Sequence, residues 1–253
     1  MAAFIGIPYS YHSPNTFVDT NIKDTLNILQ TARELRVKRV VHTSTSEVYG
    51  TARFVPIAED HPLHGLSPYS ATKIGADQLN LSLHTSLGLP ITILRPFNTY
   101  GPRQSGRAVI PTIISQLLIG KKESSLGSIH PRRGLNYGED TVDGFIMSLV
   151  TPKIEWQLIN LGSGFEISIG DLAHMIAELV ATEITIKESS ERVRPVASEV
   201  ERLLADNQKA NELLKWRPKK SGEPGFRLGL TRTIERFCDP ENLKRYKVKN
   251  CNV

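Results

Sequence analysis

Cysteine is nearly absent: 253 residues contain only Cys238 and Cys251, both near the C-terminus and in no metal-ligand spacing. That excludes a disulfide framework and a cysteine-built metal site, and it points to a reducing, cytoplasmic setting. No long apolar run is present. The opening "MAAFIGIPYSYH" has no basic n-region, and Pro8 breaks its short apolar stretch. A signal peptide and a membrane span are therefore not expected. Although the formal charge is +5, the basic residues fall in scattered doublets such as Lys121-Lys122 and Arg132-Arg133, with no basic arm and no interleaved aromatics. Nucleic acid is not the expected partner, and a small polyanionic ligand explains the basic residues at least as well. The 18 glycines include no Gly-rich turn opening a helix. Internal repeats, low-complexity tracts and long linkers are also missing.

What is present is an alternation of helix-period and strand-period segments. "FVDTNIKDTLNILQTARELRVKRVVHTSTS" sets Ile22, Leu26, Leu29, Ala32 and Leu35 near helical spacing, then passes to Val37, Val40 and Val41 in a short β-branched run. In a second unit Ser67 is the N-cap, Pro68 the first helical residue, Gly88 the stop, and "ITILRP" a strand closed by Pro96. The pattern predicts an α/β fold with a doubly wound parallel sheet, whose ligands sit beyond the C-terminal strand ends. "TSTSEVYG" and "RPFNTYGPR" occupy those ends.

Residues 1–105 are expected to form this sheet domain. Over 106–253 the alternation loosens into a smaller mixed α/β lobe for substrate, some of whose segments return to the first domain. Its expected elements are a helix in "VIPTIISQLLIG", a strand in "WQLINLG", a Ser168-capped helix "IGDLAHMIAELV", a strand in "EITIKES" and a helix stopped before Pro218.

In "SPYSATKIGADQ" Tyr69 stands four residues before Lys73, on one helix face. About one such tyrosine-basic pair is expected by chance in this composition, so position decides its meaning. The pair follows a strand ending in the hydroxyl run Thr43 to Ser46. A phenol titrates near 10, so service as a base at neutral pH needs a neighbouring cation, which Lys73 can supply while Thr45 orients a substrate hydroxyl. Such a trio suits removal of a proton from an alcohol whose hydride leaves for a nicotinamide.

"TSTSEVYG", "SPYSATK" and "RPFNTYGPR", in this order and spacing, resemble the extended short-chain dehydrogenase/reductases that act on nucleotide sugars. The likeness runs from "AAFIGIPYS" through "NLGSGFEIS" to "RPVASEVERLLAD" and "WRP". It implies a Rossmann-like fold, NAD as cofactor, a nucleotide-diphosphate sugar as substrate, and a homodimer through the helices around 20–35 and 68–87. Tyr69 would be the base, Lys73 would hold the nicotinamide ribose and lower the tyrosine pKa, and Thr45 would bond the reacting hydroxyl. Ala2, Ala3, Asn21, Pro96 and Phe97 would line the nicotinamide half of the cofactor. Asn98, Arg133 and Arg194 would reach the diphosphate or its ribose, where planar guanidinium forks suit phosphate oxygens. The backbone at Val109, Ile110 and Pro111 would meet the base.

Within the family, oxidation at C4 of the sugar is common to epimerases and dehydratases, and Glu47 helps to separate them. Two residues beyond Thr45, it is expected on the same side of an extended strand, placed to take the acidified C5 proton. The triplet Thr45-Ser46-Glu47 resembles that of GDP-mannose 4,6-dehydratases, while UDP-glucuronate decarboxylases carry a similar "TSEVYG". "VVHTSTSEVYGTA", "SPYSATKIGADQL" and "NLGSGFEISIGDL" are most similar to 4,6-dehydratases of nucleotide-linked amino sugars, the legionaminic-acid type. The expectation is therefore a 4,6-dehydratase. A decarboxylase or a 4-epimerase is the alternative, and a non-catalytic nucleotide-sugar-binding remnant is another of a different class.

The resemblance also implies an opening strand, a Gly-rich turn and a helix N-terminus for the cofactor pyrophosphate. With about two 30-residue units lacking before Met1, a truncated chain, inactive as encoded, is expected. Gly134 and Gly138 stand where an acid and a β-branched residue would be, and they are expected to weaken the strand there.

Overall fold

The computed structural model describes residues 3–121, 123–189 and 195–246. The first domain is organised around three parallel strands in the order β1 (Val40–Thr43), β2 (Ile91–Pro96), β6 (Leu158–Leu161). Val40 pairs with Ile91, and Ile93 with Leu158. Alternation along β2 sends Ile91 and Ile93 toward Leu29 and Leu81, and Leu94 toward Ile159, Leu214 and Trp216. Helices cover both faces accordingly. On one side lie α3 (Asp24–Glu34) and α4 (Pro68–Leu87), and on the other α6 (Gly138–Val150) and α8 (Gln208–Leu214). The doubly wound arrangement is as expected.

Before α3, the chain winds through α1 (Ile7–His12), α2 (Pro14–Phe17) and a π-helical turn, Val18–Lys23. The 20-residue α4 begins as its sequence predicts: Ser67 and Ser70 cap each other's backbone, Pro68 fills the first turn, and Gly88 ends the helix at φ 67°. On the other side of the sheet Trp216 is fully buried and donates from its indole to the Asp140 carbonyl at 2.9 Å. Asp140 accepts from the amides of Lys219 and Lys220, locking α6 to the "WRPKK" turn.

The second lobe holds β3 (Asn98–Tyr100), β5 (Arg132–Tyr137) and β7 (Glu166–Ser168) in one sheet, with β9 (Arg202–Leu203) also paired to β5. A separate parallel pair joins β4 (Glu123–Leu126) to β8 (Thr185–Glu188). Packed on these are α5 (Val109–Leu118), α7 (Ile169–Leu179) and α9 (Gly222–Cys238), with the short α10 (Pro240–Leu243) behind. The strand expected to suffer from its glycine is unbroken. A Cβ on Gly134 would sit 3.1 Å from the Leu203 carbonyl, so glycine there permits the close pairing of β5 with β9. Gly138 opens α6 beside the Tyr100 carbonyl.

Gly229, inside α9, has still less room: a Cβ would run into the Tyr100 hydroxyl and lie 3.0 Å from the Tyr137 ring. Gly229→Ala is expected to destabilise the chain by about 1–3 kcal/mol, read as a lower urea midpoint.

Among the described residues β1 has a strand partner on one side only. Nearby, α6 exposes Val142, Ile146, Leu149 and Val150. No described helix is long and apolar enough to cross a membrane.

Candidate active site

β1 ends at Thr43, and the chain then turns. Thr45 is extended, and its hydroxyl accepts from the Glu47 amide at 3.3 Å, capping a 3-10 turn over Ser46–Tyr49. Glu47 therefore does not continue a strand, as the two-residue spacing predicted. The turn still brings it close enough for its charge to act on Tyr69. Thr45, Ser46 and Glu47 are all buried, and the Ser46 hydroxyl has no hydrogen-bond partner among the described residues.

Tyr69 and Lys73 leave consecutive turns of α4, both buried. Burial pushes the Tyr69 phenol up to about 12, the hydrogen bond from Thr45 draws it down, and Glu47 and Asp77 raise it. The Lys73 ammonium donates to the Thr43 carbonyl at 2.6 Å. Burial lowers the Lys73 pKa, against an opposing effect of Asp77. The Tyr69 ring packs edge-on to Phe17 with centroids 6.2 Å apart.

The remaining expected residues divide. Asn21 is buried with its amide fully engaged: it accepts from the Phe4 amide at 3.2 Å and donates to the Phe4 carbonyl and the Thr72 hydroxyl, both at 3.1 Å. It anchors the segment around Phe4. Ala3 is exposed in that segment, and Ala2 and Arg194 lie outside the described residues. Pro96 closes β2, and the Phe97 amide is spent on the Leu161 carbonyl at 2.8 Å. Asn98, half-buried, opens β3. Arg133 is buried and paired with Glu199 at 3.1 Å, so a phosphate there would compete with a carboxylate. Val109 starts α5, whose Ile110 side chain belongs to the lobe core, leaving backbone as the expected contact. Tyr11 donates to the Ser198 hydroxyl at 3.0 Å, joining the N-terminal segment to the second lobe.

The comparisons fit this geometry. A model of the family described as GDP-mannose 4,6 dehydratase matches residues 1–228. The chain belongs to this family. Relatives of the family member include a UDP-glucuronate 4-epimerase from Thermodesulfobacterium geofontis, 33% identical over 90% of this chain and 69% of the relative. A dTDP-glucose 4,6-dehydratase from Streptomyces antibioticus is 31% identical over 94% of this chain and 69% of its own length. Among solved structures, the dTDP-glucose 4,6-dehydratase DesIV from Streptomyces venezuelae, with NAD bound, superposes with a TM-score of 0.87 at 28% identity. That match covers 98% of this chain and 74% of DesIV.

The family is NAD-dependent, and the side chains here fit one end of that cofactor. Lys73 spends one of three donors on Thr43, leaving donors suited to a ribose diol beside the Tyr69 phenol. No Gly-rich strand-turn-helix for a pyrophosphate occurs among the described residues. The fit therefore extends to the nicotinamide end.

Reasoning from the sequence missed Asp77, Arg95, Tyr49 and Asn160, which form a buried polar network behind Thr45. Two signals were available. Asp77 lies one helical turn beyond Lys73, and Arg95 is a lone charge at the end of the apolar strand "ITILRP".

Proposed function

We propose that the chain carries the substrate-side machinery of an NAD-dependent nucleotide-sugar 4,6-dehydratase. The observation that carries this reading is the meeting of Thr45, Tyr69 and Glu47 in one buried site. An alcohol oxidation needs the first two, and an elimination also needs a carboxylate. Thr45 orients the sugar C4 hydroxyl, and Tyr69 as phenolate takes its proton. What NAD supplies when bound is a reversible hydride acceptor. With C4 a ketone, the C5 proton is acidified and Glu47 removes it. The C5 electron pair forms the C5–C6 double bond, and hydroxide leaves C6 with a proton as water. The hydride taken from C4 would then return to C6 and a proton to C5, so that the cofactor is restored and a 4-keto-6-deoxy sugar leaves one water lighter. Ser46, buried beside both, stands where some dehydratases place the acid that protonates this leaving group. Arg133 and Asn98 serve the diphosphate, and α5 offers its first backbone groups to the base. A homodimer through α3 and α4 belongs to the same reading, supported by exposed Ile28, Leu35 and Leu87 on or beside those helices.

Product mass tests the reaction. Incubated with NAD and a nucleotide-hexose or nucleotide-hexosamine, a chain that turns over yields a product lighter by one water, whereas a chain inactive as encoded yields none. A product of unchanged mass favours a 4-epimerase, and loss of carbon dioxide from a nucleotide-uronic acid favours a decarboxylase. Calorimetric titration of NAD separates the non-catalytic alternative: a folded chain that binds a nucleotide sugar but not NAD overturns the enzyme reading.

A further inference from the structure

Side chains from four elements close a ring around the segment that carries Thr45. Ser44 donates to Asp77 Oδ2 at 2.8 Å. Arg95 donates to the same oxygen from Nε and Nη2, at 3.1 and 2.9 Å. Its Nη1 donates to the Tyr49 hydroxyl at 2.9 Å, and Tyr49 donates onward to Asn160 at 2.8 Å. Ser44, Asp77, Arg95 and Tyr49 are all at most 4% exposed. The stretch from Ser44 to Tyr49, which includes Thr45, Ser46 and Glu47, is therefore pinned at both ends to one buried ion pair.

The strand pattern explains the contacts. Val40, His42 and Ser44 share the side of β1 facing α4, as Arg95 does on β2. On α4, Tyr69, Lys73 and Asp77 recur every fourth residue and meet the chain at successive points. Asp77 takes Ser44 and lies 3.6 Å from His42, Lys73 takes the Thr43 carbonyl, and Tyr69 takes Thr45. A buried ion pair is weak support for stability, since apolar side chains of similar size often do as well. What it supplies here is register between two chain segments.

We propose that Ser44 and Asp77 are positioning residues, fixing the segment 44–49 against α4 so that the Thr45 hydroxyl meets the Tyr69 phenol. The importance of that meeting rests on the proposed role of Tyr69, but the contact itself can be measured without turnover. The groups acting on the phenol are Thr45 and Glu47 from the 3-10 turn and Asp77 from α4, with the Phe17 ring against its edge. Removing the Ser44 hydroxyl leaves these groups present, and Asp77 stays held by Arg95. An effect that passes through Thr45 rather than through Asp77 is the one that vanishes when Thr45 is already alanine.

The test places a fluorinated tyrosine at position 69 of the full chain. Its more acidic phenol brings the titration into a range where circular dichroism confirms the fold, and fluorine NMR reads it. Thr45→Ala is expected to raise the phenol pKa by about one unit, the loss of one hydrogen bond to the phenolate. Ser44→Ala, which does not touch the phenol, is expected to reproduce most of that rise. The double variant should shift no further than Thr45→Ala, because the two act in series. Ser44→Thr, which keeps the hydroxyl, should titrate as the parent does. A Ser44→Ala curve that coincides with the parent, or a double variant whose shift is the sum of the two, overturns the proposal. Should Ser44→Ala fold poorly, Ser44→Cys serves instead: its weaker donor is expected to give a partial rise, and no rise overturns the proposal equally.

Discussion

Tyr69→Phe is expected to cut turnover of the nucleotide sugar by about 10²–10⁴-fold while leaving the chain folded, the usual range for loss of a positioned acid-base group. The ring keeps its packing on Phe17, and what is lost with the oxygen is the hydrogen bond from Thr45. Affinity for the nucleotide sugar, measured by calorimetry, should change little, because the phenol meets only the reacting hydroxyl. A variant that retains parental turnover would remove Tyr69 from the chemistry.

The same residue fixes an expectation about pH. With the phenol pushed up to about 12, the phenolate fraction at pH 7 is about one in 10⁵. Useful catalysis then requires the Lys73 ammonium to turn from the Thr43 carbonyl toward the phenol, where its charge would favour phenolate. Without that movement, turnover should climb about tenfold per pH unit across the neutral range. A profile that levels off near neutrality would place Lys73 at the phenol in the working state.

How much of this was legible in the sequence follows from which interactions are local. α4 announced itself through Ser67, Pro68 and Gly88, because caps are written within a few residues of the helix they end. The alternation of β2 was equally plain, and with it the doubly wound sheet. Glu47 was misjudged because hydroxyls after Thr43 suggested a longer strand, whereas the Thr45 side chain captures the Glu47 amide and starts a turn. The hydrogen bonds of Asn21 were not legible because its partners, Phe4 and Thr72, are 17 and 51 residues away. Gly134 looked like a defect because its reason, the carbonyl of Leu203, belongs to a strand about 70 residues later. The ring around Thr45 joins the residue after β1 to α4, β2 and the 3-10 turn, and no local spacing encodes it.

That ring carries the largest expected effect on stability. Arg95→Met is expected to destabilise the chain by about 3–5 kcal/mol near neutral pH, because it strands the Asp77 carboxylate in a fully buried position. Asp77 and Arg95 have 0% and 2% of their side chains exposed, so solvent screening does little to soften the loss. Urea denaturation should show a lower midpoint at an unchanged slope. Burial works to raise the Asp77 pKa, but His42, Arg95 and Ser44 together outweigh it and hold the carboxyl below its ordinary value. A carboxylate with a depressed folded pKa contributes stability above about 3.9, and that contribution is lost as pH falls through the folded value. His42, lowered chiefly by its own burial, adds stability that is complete above about 6.5 and declines as acid forces a proton onto it. The parent should therefore weaken in two stages on acidification. Without Arg95 the Asp77 carboxyl protonates at higher pH, so the gap between parent and variant should narrow as the pH falls toward 4. A second change, Asp77→Leu in the Arg95→Met background, removes the stranded charge and is expected to recover part of the loss. A gap that is constant with pH, or a double variant no more stable than Arg95→Met, would mean that packing around Arg95, rather than the charge on Asp77, sets its contribution.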